Sequence, residues 1–460
     1  MHIKSNKYVA MFVAVLFLVL SSNVAFAQDV DVNALMAKIQ ALESKVAKLE
    51  GRSSVSPVSS VSTSDGLLKA SEDIKVGGYV SSGYNLNWLS PNPDGDSTAT
   101  PAAGTVDANG NNTNIRMFDR DSNTFVHNGQ LEFEKLATEA GTAGFRADLM
   151  FGRDAQILNS ITIGDATDNF YVEQAYVQYI APVGNGIDIK AGRFVTIAGA
   201  EVVESKDNWN TSRSLLYTNA IPVGHNGVLA SYKVNDLVDV KLGLANGWDA
   251  SIDNNKSKTI LSGVTLHPME GLDVTQNYII GNEQTRTSNG TGGAATAGNA
   301  ADRNLRQLLD TIIAWQPIKD NSRWKILGNF DLGWEERGTS VEGVSTWHGL
   351  ALGTKYDVND WLTLAGRWEY FNDNDGHRTG SINGITATER RNFYEMTYTA
   401  DFKLAKNLLA RLEWRYDWSN QPIFDLSNNL HVGFNGTAAT SSVGARNAQH
   451  TTGAEVIYVF

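Results

Sequence analysis

Charged side chains concentrated between residues 195 and 226 are the part of this sequence best suited to chemistry with ions. Glu201, Glu204 and Asp207 place three carboxylates within seven residues, and Arg213 adds a guanidinium six residues later. Carboxylates at such short spacing can bind a hard cation such as Ca²⁺, or they can set the charge of a narrow aqueous passage. The three acids match no EF-hand or repeat pattern, so we predict no metal site, with a surface acidic cluster as the simpler alternative to a calcium site.

The connection that carries these charges lies between a predicted strand at 187–194 and another at 227–234. It also contains apolar anchors of its own: Trp209, Leu215, Leu216 and Tyr217. A long connection with apolar side chains usually packs against something. We therefore predict that it folds into the interior of the structure, and that Arg193, at the end of the preceding strand, pairs with one of its acids. An exposed surface loop is the alternative that composition leaves open.

The first 27 residues have the features of a secretory signal peptide. Lys4 and Lys7 give a positive start, residues 9–20 form an apolar run, and residues 25–27 read Ala-Phe-Ala, a cleavage pattern. The run is too short for a convincing membrane-spanning helix. Removal of residues 1–27 takes away two of the 38 basic residues and none of the 50 acids, so the mature chain carries a net charge of 36 − 50 = −14.

Composition excludes several classes of protein. The sequence has no cysteine, which excludes a disulfide framework, a haem attachment motif and a thiolate metal site. It has no basic stripe, so nucleic acid is not an expected partner. No stretch after the signal approaches eighteen consecutive apolar residues, so a membrane form would have to be a closed barrel. The 11 Trp, 15 Tyr and 17 Phe are available for aromatic girdles.

Residues 28–52 are predicted to form a short coiled-coil helix. Apolar residues there recur at spacings of three and four: Val32, Leu35, Ile39, Leu42, Val46 and Leu49. We expect this helix to associate with copies of itself, and a homotrimer through residues 32–49 is compatible with the seam, as is a two-stranded pairing. A solitary amphipathic helix packed on the rest of its own chain is the alternative. Residues 53–73 form a Ser-rich linker.

From residue 74 onward the hydrophobic period changes from helical to two. Residues 408–418 show this most clearly, because apolar and charged side chains alternate through the whole segment. One face carries Leu412, Trp414, Tyr416 and Trp418, and the other carries Arg411, Glu413, Arg415 and Asp417. Alternation alone fits both a soluble sandwich, with its apolar face in the core, and a membrane barrel, with its apolar face against lipid.

The lengths of the connections favour the barrel. Sixteen candidate strands occur between residues 74 and 460; connections after even-numbered strands are short, and most of those after odd-numbered strands are long and polar. This segregation is typical of outer-membrane barrels and has no reason to arise in a sandwich. The last strand ends on Phe460, as the sorting signal of such proteins does. We therefore predict an all-β fold, a transmembrane antiparallel β-barrel of about sixteen strands over residues 74–460, with fourteen or eighteen strands as alternatives.

A barrel of this kind turns the polar face of its strands toward a water-filled interior. The expected pore-lining residues are Glu132, Glu134, Arg146, Asp148, Arg367, Glu369, Arg411, Glu413 and Arg415. The expected constriction consists of Glu201, Glu204, Asp207, Arg213 and Arg193, with the three acids facing basic residues of the wall. The negative net charge suggests a mild preference for cations, although the local potential at the constriction controls selectivity more than total charge does.

Catalytic motifs are absent from the sequence. No two of the eight His residues have the i, i+4 spacing of a helical metal site, and no G-x-S-x-G motif is present. Glycine-rich residues 290–298 have no following P-loop Lys. We therefore predict that the protein is not an enzyme and uses no cofactor.

Several short motifs in the central connection resemble the OmpL-like β-barrel porin family. They are Gly199-Ala200-Glu201, Asn208, Ser212-Arg213-Ser214, Ile221-Pro222 and His225-x-Gly227. The resemblance covers about residues 74–460. The layout of a coiled-coil segment before a sixteen-stranded barrel also resembles phosphate-selective porins, but the acidic balance weakens that comparison.

This resemblance implies an outer-membrane porin of a Gram-negative-type bacterium, with its N-terminal helix in the periplasm. Its expected partners are outer-membrane lipid and small hydrophilic solutes or ions, which would cross by passive diffusion. The main alternative is a structural anchor or adhesin whose barrel is not an open pore. A soluble secreted β-sandwich is a third alternative, which the connection lengths and the terminal Phe460 disfavour.

Overall fold

A computed structural model describes most of the chain after residue 73. The described residues are 74–89, 115–119, 124–162, 168–253, 255, 257–283, 305–318, 322–336, 343–379, 390–424 and 446–460. The chain divides into two units, Met1–Glu72 and Asp73–Phe460, and every described residue belongs to the second. The predicted signal peptide (1–27), coiled-coil helix (28–52) and Ser-rich linker (53–73) lie outside the described residues.

Sixteen antiparallel strands form one closed barrel, in which each strand pairs with its neighbours in the chain and the first pairs with the last. The strands are β1 Lys75–Asn87, β2 Thr124–Lys135, β3 Ala143–Gly152, β4 Phe170–Ala181, β5 Ile187–Val195, β6 Gly224–Lys233, β7 Val238–Ala245, β8 Thr259–Met269, β9 Leu272–Asn282, β10 Leu305–Trp315, β11 Trp324–Glu336, β12 Val344–Asp357, β13 Leu362–Asp373, β14 Arg391–Ala405, β15 Leu408–Ser419 and β16 Ala448–Val459. The predicted fold and strand number are confirmed, and the sandwich is excluded.

The C-terminal residue takes part in closing the barrel. Gly78 and Phe460 exchange two backbone hydrogen bonds, of 3.1 and 3.0 Å, at the start of the β1–β16 pairing. Because β16 pairs with β1, neither strand has an edge with unpaired backbone N–H and C=O groups. Such unpaired groups would be energetically costly in contact with lipid.

The two faces of the barrel wall have opposite polarity. On β15, Leu412 is 57% exposed on the outer face, whereas the neighbouring Arg411 and Glu413 are 3% and 7% exposed on the inner face. Tyr398 and Leu242 are likewise exposed on the outside. A soluble protein would bury the apolar face, so this arrangement suits an apolar surrounding. Within the described ranges, no helix is long and apolar enough to cross a bilayer.

Two short α-helices and a 3-10 turn at Ser205–Asp207 occur among the described residues, and the sequence analysis predicted none of them. Helix α1 (Arg153–Thr162) follows β3, and α2 (Leu215–Asn219) lies in the connection between β5 and β6. Ala155, Ile157 and Leu158 are the buried apolar residues of α1. With ten and five residues, these helices are too short for a helical period to be distinguished from the surrounding pattern.

Candidate functional site: the segment inside the barrel

Residues 196–223, which connect β5 to β6, form a segment that hydrogen-bonds to strands all around the barrel. The Asn277 side-chain amide of β9 donates to the Ile197 carbonyl at 2.8 Å, and the Asn329 side-chain oxygen of β11 accepts from the Ala200 N–H at 3.0 Å. On the other side of the ring, the Ser205 hydroxyl donates to Glu455 of β16 at 2.7 Å. Because these wall residues lie on the inner face, the segment (called the inner segment below) lies within the barrel.

The local conformation of the inner segment depends on two glycines and one cap. Gly199 has a φ of +86°, and a Cβ there would lie 2.3 Å from the Ile221 side chain. Gly349 of β12 leaves room for the inner segment, because a Cβ there would lie 2.6 Å from the Leu216 side chain. Ser214 caps α2 by accepting a hydrogen bond from the Tyr217 N–H at 2.9 Å.

Arg213 holds the two arms of the inner segment together. Its guanidinium donates to three backbone carbonyls, those of Val202 at 3.1 Å, Thr211 at 2.6 Å and Val203. It also lies over the Phe118 ring, 5.1 Å from the centroid. The side chain is buried, so Arg213 supports the fold of the inner segment instead of presenting a charge to a passage.

Arginines of the wall carry a chain of ion pairs that begins on the inner segment. Glu201 Oε1 lies 2.5 Å from Arg367 Nη1, and Arg367 Nε lies 2.7 Å from Glu395 Oε1. Arg415 continues the chain, with its Nε 3.1 Å from Glu395 and 2.8 Å from Asp417. All the wall members of this chain are buried. Alternating charges at these distances neutralise one another, which a group removed from water requires.

Two wall carboxylates accept hydrogen bonds from backbone N–H groups of the inner segment. Glu413 bonds to Thr211 at 2.7 Å and to Ser212 at 3.0 Å. Glu369 accepts a hydrogen bond from the N–H of Leu215 at 2.6 Å, at the start of α2. Both carboxylates were predicted to line a pore, and both satisfy main-chain donors of the inner segment instead.

All nine residues predicted from the polar strand faces lie on the inner face of the wall, but most of them do not border open solvent. Asp148, Arg367, Glu369, Arg411, Glu413 and Arg415 are buried. Glu132, Glu134 and Arg146 remain partly exposed, with Arg146 lying 3.7 and 3.5 Å from Glu132 and Glu134. The sequence analysis treated the lumen as open and so did not anticipate that the inner segment covers these side chains.

Two predicted pairings of the constriction are wrong. Glu204 does not face a basic wall residue but lies beside Asp148 and Glu173, with the carboxylate oxygens within 4.8 Å of one another. Burial raises the pKa of the Glu204 carboxyl. Arg193 bonds to Ser251 at 3.1 Å and to the Tyr171 hydroxyl, not to an acid of the inner segment, because its side chain extends toward β4 and the β7–β8 connection.

A cavity of about 590 Å³ lies between the inner segment and strands β11–β15, on the side of the short turns. Asp207, with 53% of its side chain exposed, and Lys206, with 16%, form an ion pair at 2.6 Å at its edge. The other charged residues that line it are Arg323, Lys355, Asp357, Asp360, Asp401, Lys403 and Arg411. This lining carries five basic and four acidic groups, Lys206 and Asp207 included, and is close to neutral.

Three acids that belong to the site were not among the predicted site residues. Glu395 and Asp417 are the carboxylates of the ion-pair chain, and their inner-face positions are consistent with the alternation on β14 and β15. Glu173 lies next to Gln174 on β4, and both are buried. Strict alternation would turn one of this pair outward, so a single period could not have placed both Glu173 and Gln174 inside.

The family model described as "Putative beta-barrel porin-2, OmpL-like" matches residues 73–460, which is most of the chain. The chain belongs to this family. It is therefore a porin-like barrel of the outer membrane. No curated protein matches the sequence.

Solved structures of outer-membrane proteins share the fold of this porin. OmpTdeltaL8, a loop L8 deletion mutant of OmpT from Vibrio cholerae, is 12% identical and has a TM-score of 0.50, with 84% of this chain and 99% of that chain covered. The trimer form of OmpT has a TM-score of 0.50 at 11% identity, covering 84% and 99%. OprB of Pseudomonas putida gives 0.50 at 10% identity, covering 86% and 96%. At these identities the likeness concerns the fold alone.

Proposed function

We propose that this porin lets small hydrophilic solutes and ions diffuse passively through its barrel, with the inner segment setting the narrowest point. The observation that carries the proposal is the attachment of residues 196–223 to inner-face side chains of β9, β11, β13 and β15. A segment fixed at so many points reduces the cross-section of the lumen without moving as solutes pass. The remaining passage would include the cavity beside Lys206 and Asp207.

Charge at this passage would give the porin a weak preference for cations. The lining of the cavity is nearly balanced, so no strong selectivity is expected from it. Asp207 is more exposed than Lys206, and the mature chain has a net charge of −14, from 36 basic and 50 acidic residues. The exposed Asp207 makes the potential at the cavity edge more negative, and the net charge of the chain adds a weaker bias of the same sign.

Single-channel recording in a planar bilayer tests this proposal. The purified mature protein, folded as judged by heat-modifiable gel migration, should give stable conductance steps and a small reversal potential of the sign for cations in a salt gradient. Removal of the inner segment by joining residue 199 to residue 222 should increase the conductance several-fold. A folded barrel that gives no steps would contradict the proposal.

A second candidate function is a closed barrel that anchors the protein while its long connections or N-terminal region bind another component. The observation that favours it is the burial of the inner segment and its partners, for example Arg213, Glu369 and Arg415. In that case the intact protein would give no conductance, and only the variant without residues 200–221 would conduct.

Self-association through residues 32–49 is part of the proposal. These residues carry the apolar seam of the predicted coiled-coil helix, which we place in the periplasm, and the predicted Ser-rich linker 53–73 follows them in the sequence. OmpT of Vibrio cholerae has been solved in a trimer form. Cross-linking of the mature protein should give a trimer that disappears when residues 28–52 are removed, and a monomer with both proteins would contradict it.

A further inference from the structure

Three buried carboxylates meet where the inner segment touches the wall at β3 and β4. Asp148 belongs to β3, Glu173 to β4 and Glu204 to the inner segment, and an oxygen of each lies within 4.8 Å of the oxygens of the other two. Their side chains are 0%, 3% and 7% exposed. Like charges at this distance and depth repel strongly, because little water is present to screen them.

The positive charge near these carboxylates does not balance them. Arg146 bonds to Asp148 at 2.8 Å, but the same guanidinium is shared with Glu132 and Glu134. In the part of the chain that the structure describes, no Lys or Arg lies within ion-pair distance of Glu173 or Glu204. The group therefore holds more negative than positive charge.

A β-bulge brings the middle carboxylate of the group inside. Pairing along β3 and β4 passes from Asp148–Gln174 to Leu149–Val172 and leaves Glu173 as the extra residue. As a result Glu173 and Gln174 are both buried, although strand neighbours normally point to opposite faces. Bulges often re-aim a side chain at a functional site, and this one adds a third acid to a buried group that already holds two.

Among the residues that the structure describes, one side-chain oxygen of Gln130 and one of Glu173 have no hydrogen-bond donor. Gln130 is fully buried and donates its amide N–H to Glu173 Oε2 at 2.6 Å, while its own Oε1 has no hydrogen-bond partner. Glu173 Oε1 has none either. Buried acceptors are nearly always satisfied, so two such oxygens on contacting side chains call for a positively charged ligand.

We propose that Asp148, Glu173, Glu204 and Gln130 bind one Ca²⁺ ion that joins the inner segment to the barrel wall. The donors are three carboxylates and one amide oxygen, which is the ligand chemistry that calcium prefers, whereas zinc prefers nitrogen and sulfur. Glu204 is the one ligand on the inner segment, so the ion ties the turn at Ser205–Asp207 to β3 and β4. Without the ion, repulsion from Asp148 and Glu173 drives Glu204 away from the wall. This inference does not depend on whether the lumen conducts.

Calcium titration of the full mature protein tests the site. Protein refolded in detergent is free of lipopolysaccharide, whose phosphates would bind calcium on their own. After removal of metals with EDTA, calorimetry with CaCl₂ should show one saturable site per chain, with a dissociation constant on the order of 10⁻⁵–10⁻³ M. Glu204→Gln should weaken binding at least tenfold, because it removes one of the three charged ligands. Glu139→Gln, which changes an exposed acid in the turn after β2, should not.

A second measurement covers variants that bind weakly. The temperature at which the barrel loses its heat-modifiable migration should rise when Ca²⁺ replaces EDTA in the wild type and in Glu139→Gln, but not in Glu204→Gln. Glu204 is outside the strands, so its substitution leaves the barrel pairing intact. Absence of calcium binding at millimolar concentration, or binding that Glu204→Gln and Glu173→Gln both leave unchanged, would overturn the proposal and would mean that the three carboxylates share protons instead.

Discussion

Arg367 joins β13 to two points of the inner segment through one guanidinium. Its Nη1 lies 2.5 Å from Glu201 Oε1 and 2.8 Å from the carbonyl oxygen of Ser212, while its Nε faces Glu395 at 2.7 Å. The other oxygen of Glu201 accepts the N–H of Ser214 at 2.7 Å. Glu201 is therefore both a cap for its own segment and the negative partner that holds the segment against the wall.

Glu201→Gln should loosen the inner segment while leaving the barrel closed. The amide keeps a carbonyl oxygen for Ser214, but it removes the charge that faces Arg367. A hydrogen bond to a charged partner contributes about 1.5–3 kcal/mol, and Arg367 would retain Glu395. We expect larger and noisier conductance steps in bilayer recordings. Glu139→Gln, at an exposed position in the turn after β2, is the matched control and should behave as the wild type; equal noise in the two variants would argue against this role of Glu201.

Gly349→Ala should lift α2 from the wall. The new Cβ would lie 2.6 Å from the Leu216 side chain and 2.7 Å from the backbone carbonyl oxygen of Tyr370. Because the Tyr370 oxygen belongs to the barrel wall, the Leu216 side chain is the group that would have to move. Overpacking of this kind costs about 1–3 kcal/mol. The variant should lose heat-modifiable migration at a lower temperature than the wild type. Gly328→Ala is the control, because its Cβ would meet no atom closer than 3.8 Å. If the transition temperature decreased equally in Gly328→Ala, the decrease would come from replacing any strand glycine and not from the contact with Leu216.

Opposite substitutions at Lys206 and Asp207 should shift the ion preference in opposite directions. The two residues form one ion pair at the edge of the 590 Å³ cavity, at 2.6 Å. Asp207→Asn should move the reversal potential in a salt gradient toward anions, and Lys206→Gln should move it toward cations. Each variant serves as the control for the other. Reversal potentials that do not differ between them would place the selective point elsewhere in the lumen.

The strands of this porin could be predicted from the sequence because a barrel wall imposes a strict period of two. Side chains such as Leu412 and Glu413 fall on opposite faces for the same reason that they alternate in the sequence. The order of short turns and long connections then favoured a membrane barrel over a soluble sandwich. The inward course of residues 196–223 could be anticipated from Trp209 and Leu215, whose apolar side chains need a packing partner.

The contacts of the interior could not be predicted, because they depend on side chains far apart in the sequence. Glu201 meets Arg367, 166 residues away, and no local pattern specifies that pair. The bulge at Glu173 breaks the period on which the prediction of inner-face residues relied. Burial was also missed, since the polar face of a strand looks the same in sequence whether it borders water or a segment such as this one.

Stability of the folded barrel should decrease as pH rises toward neutrality because of Asp154, in helix α1. Burial raises the pKa of this carboxyl to about 7 from its ordinary value of 3.8, against the opposing effect of Arg213. Between these two pH values the folded state keeps a proton that the unfolded chain releases, so the free energy of unfolding falls as pH increases through this range. Asp154→Asn cannot ionise and should lose less thermal stability between pH 4.5 and pH 8 than the wild type does, as measured by the heat-modification temperature.

Asp360→Asn, at an exposed position in the turn after β12, should keep the pH profile of the wild type. Parallel profiles for Asp154→Asn and the wild type would show that Asp154 is ionised in the folded protein across the whole range.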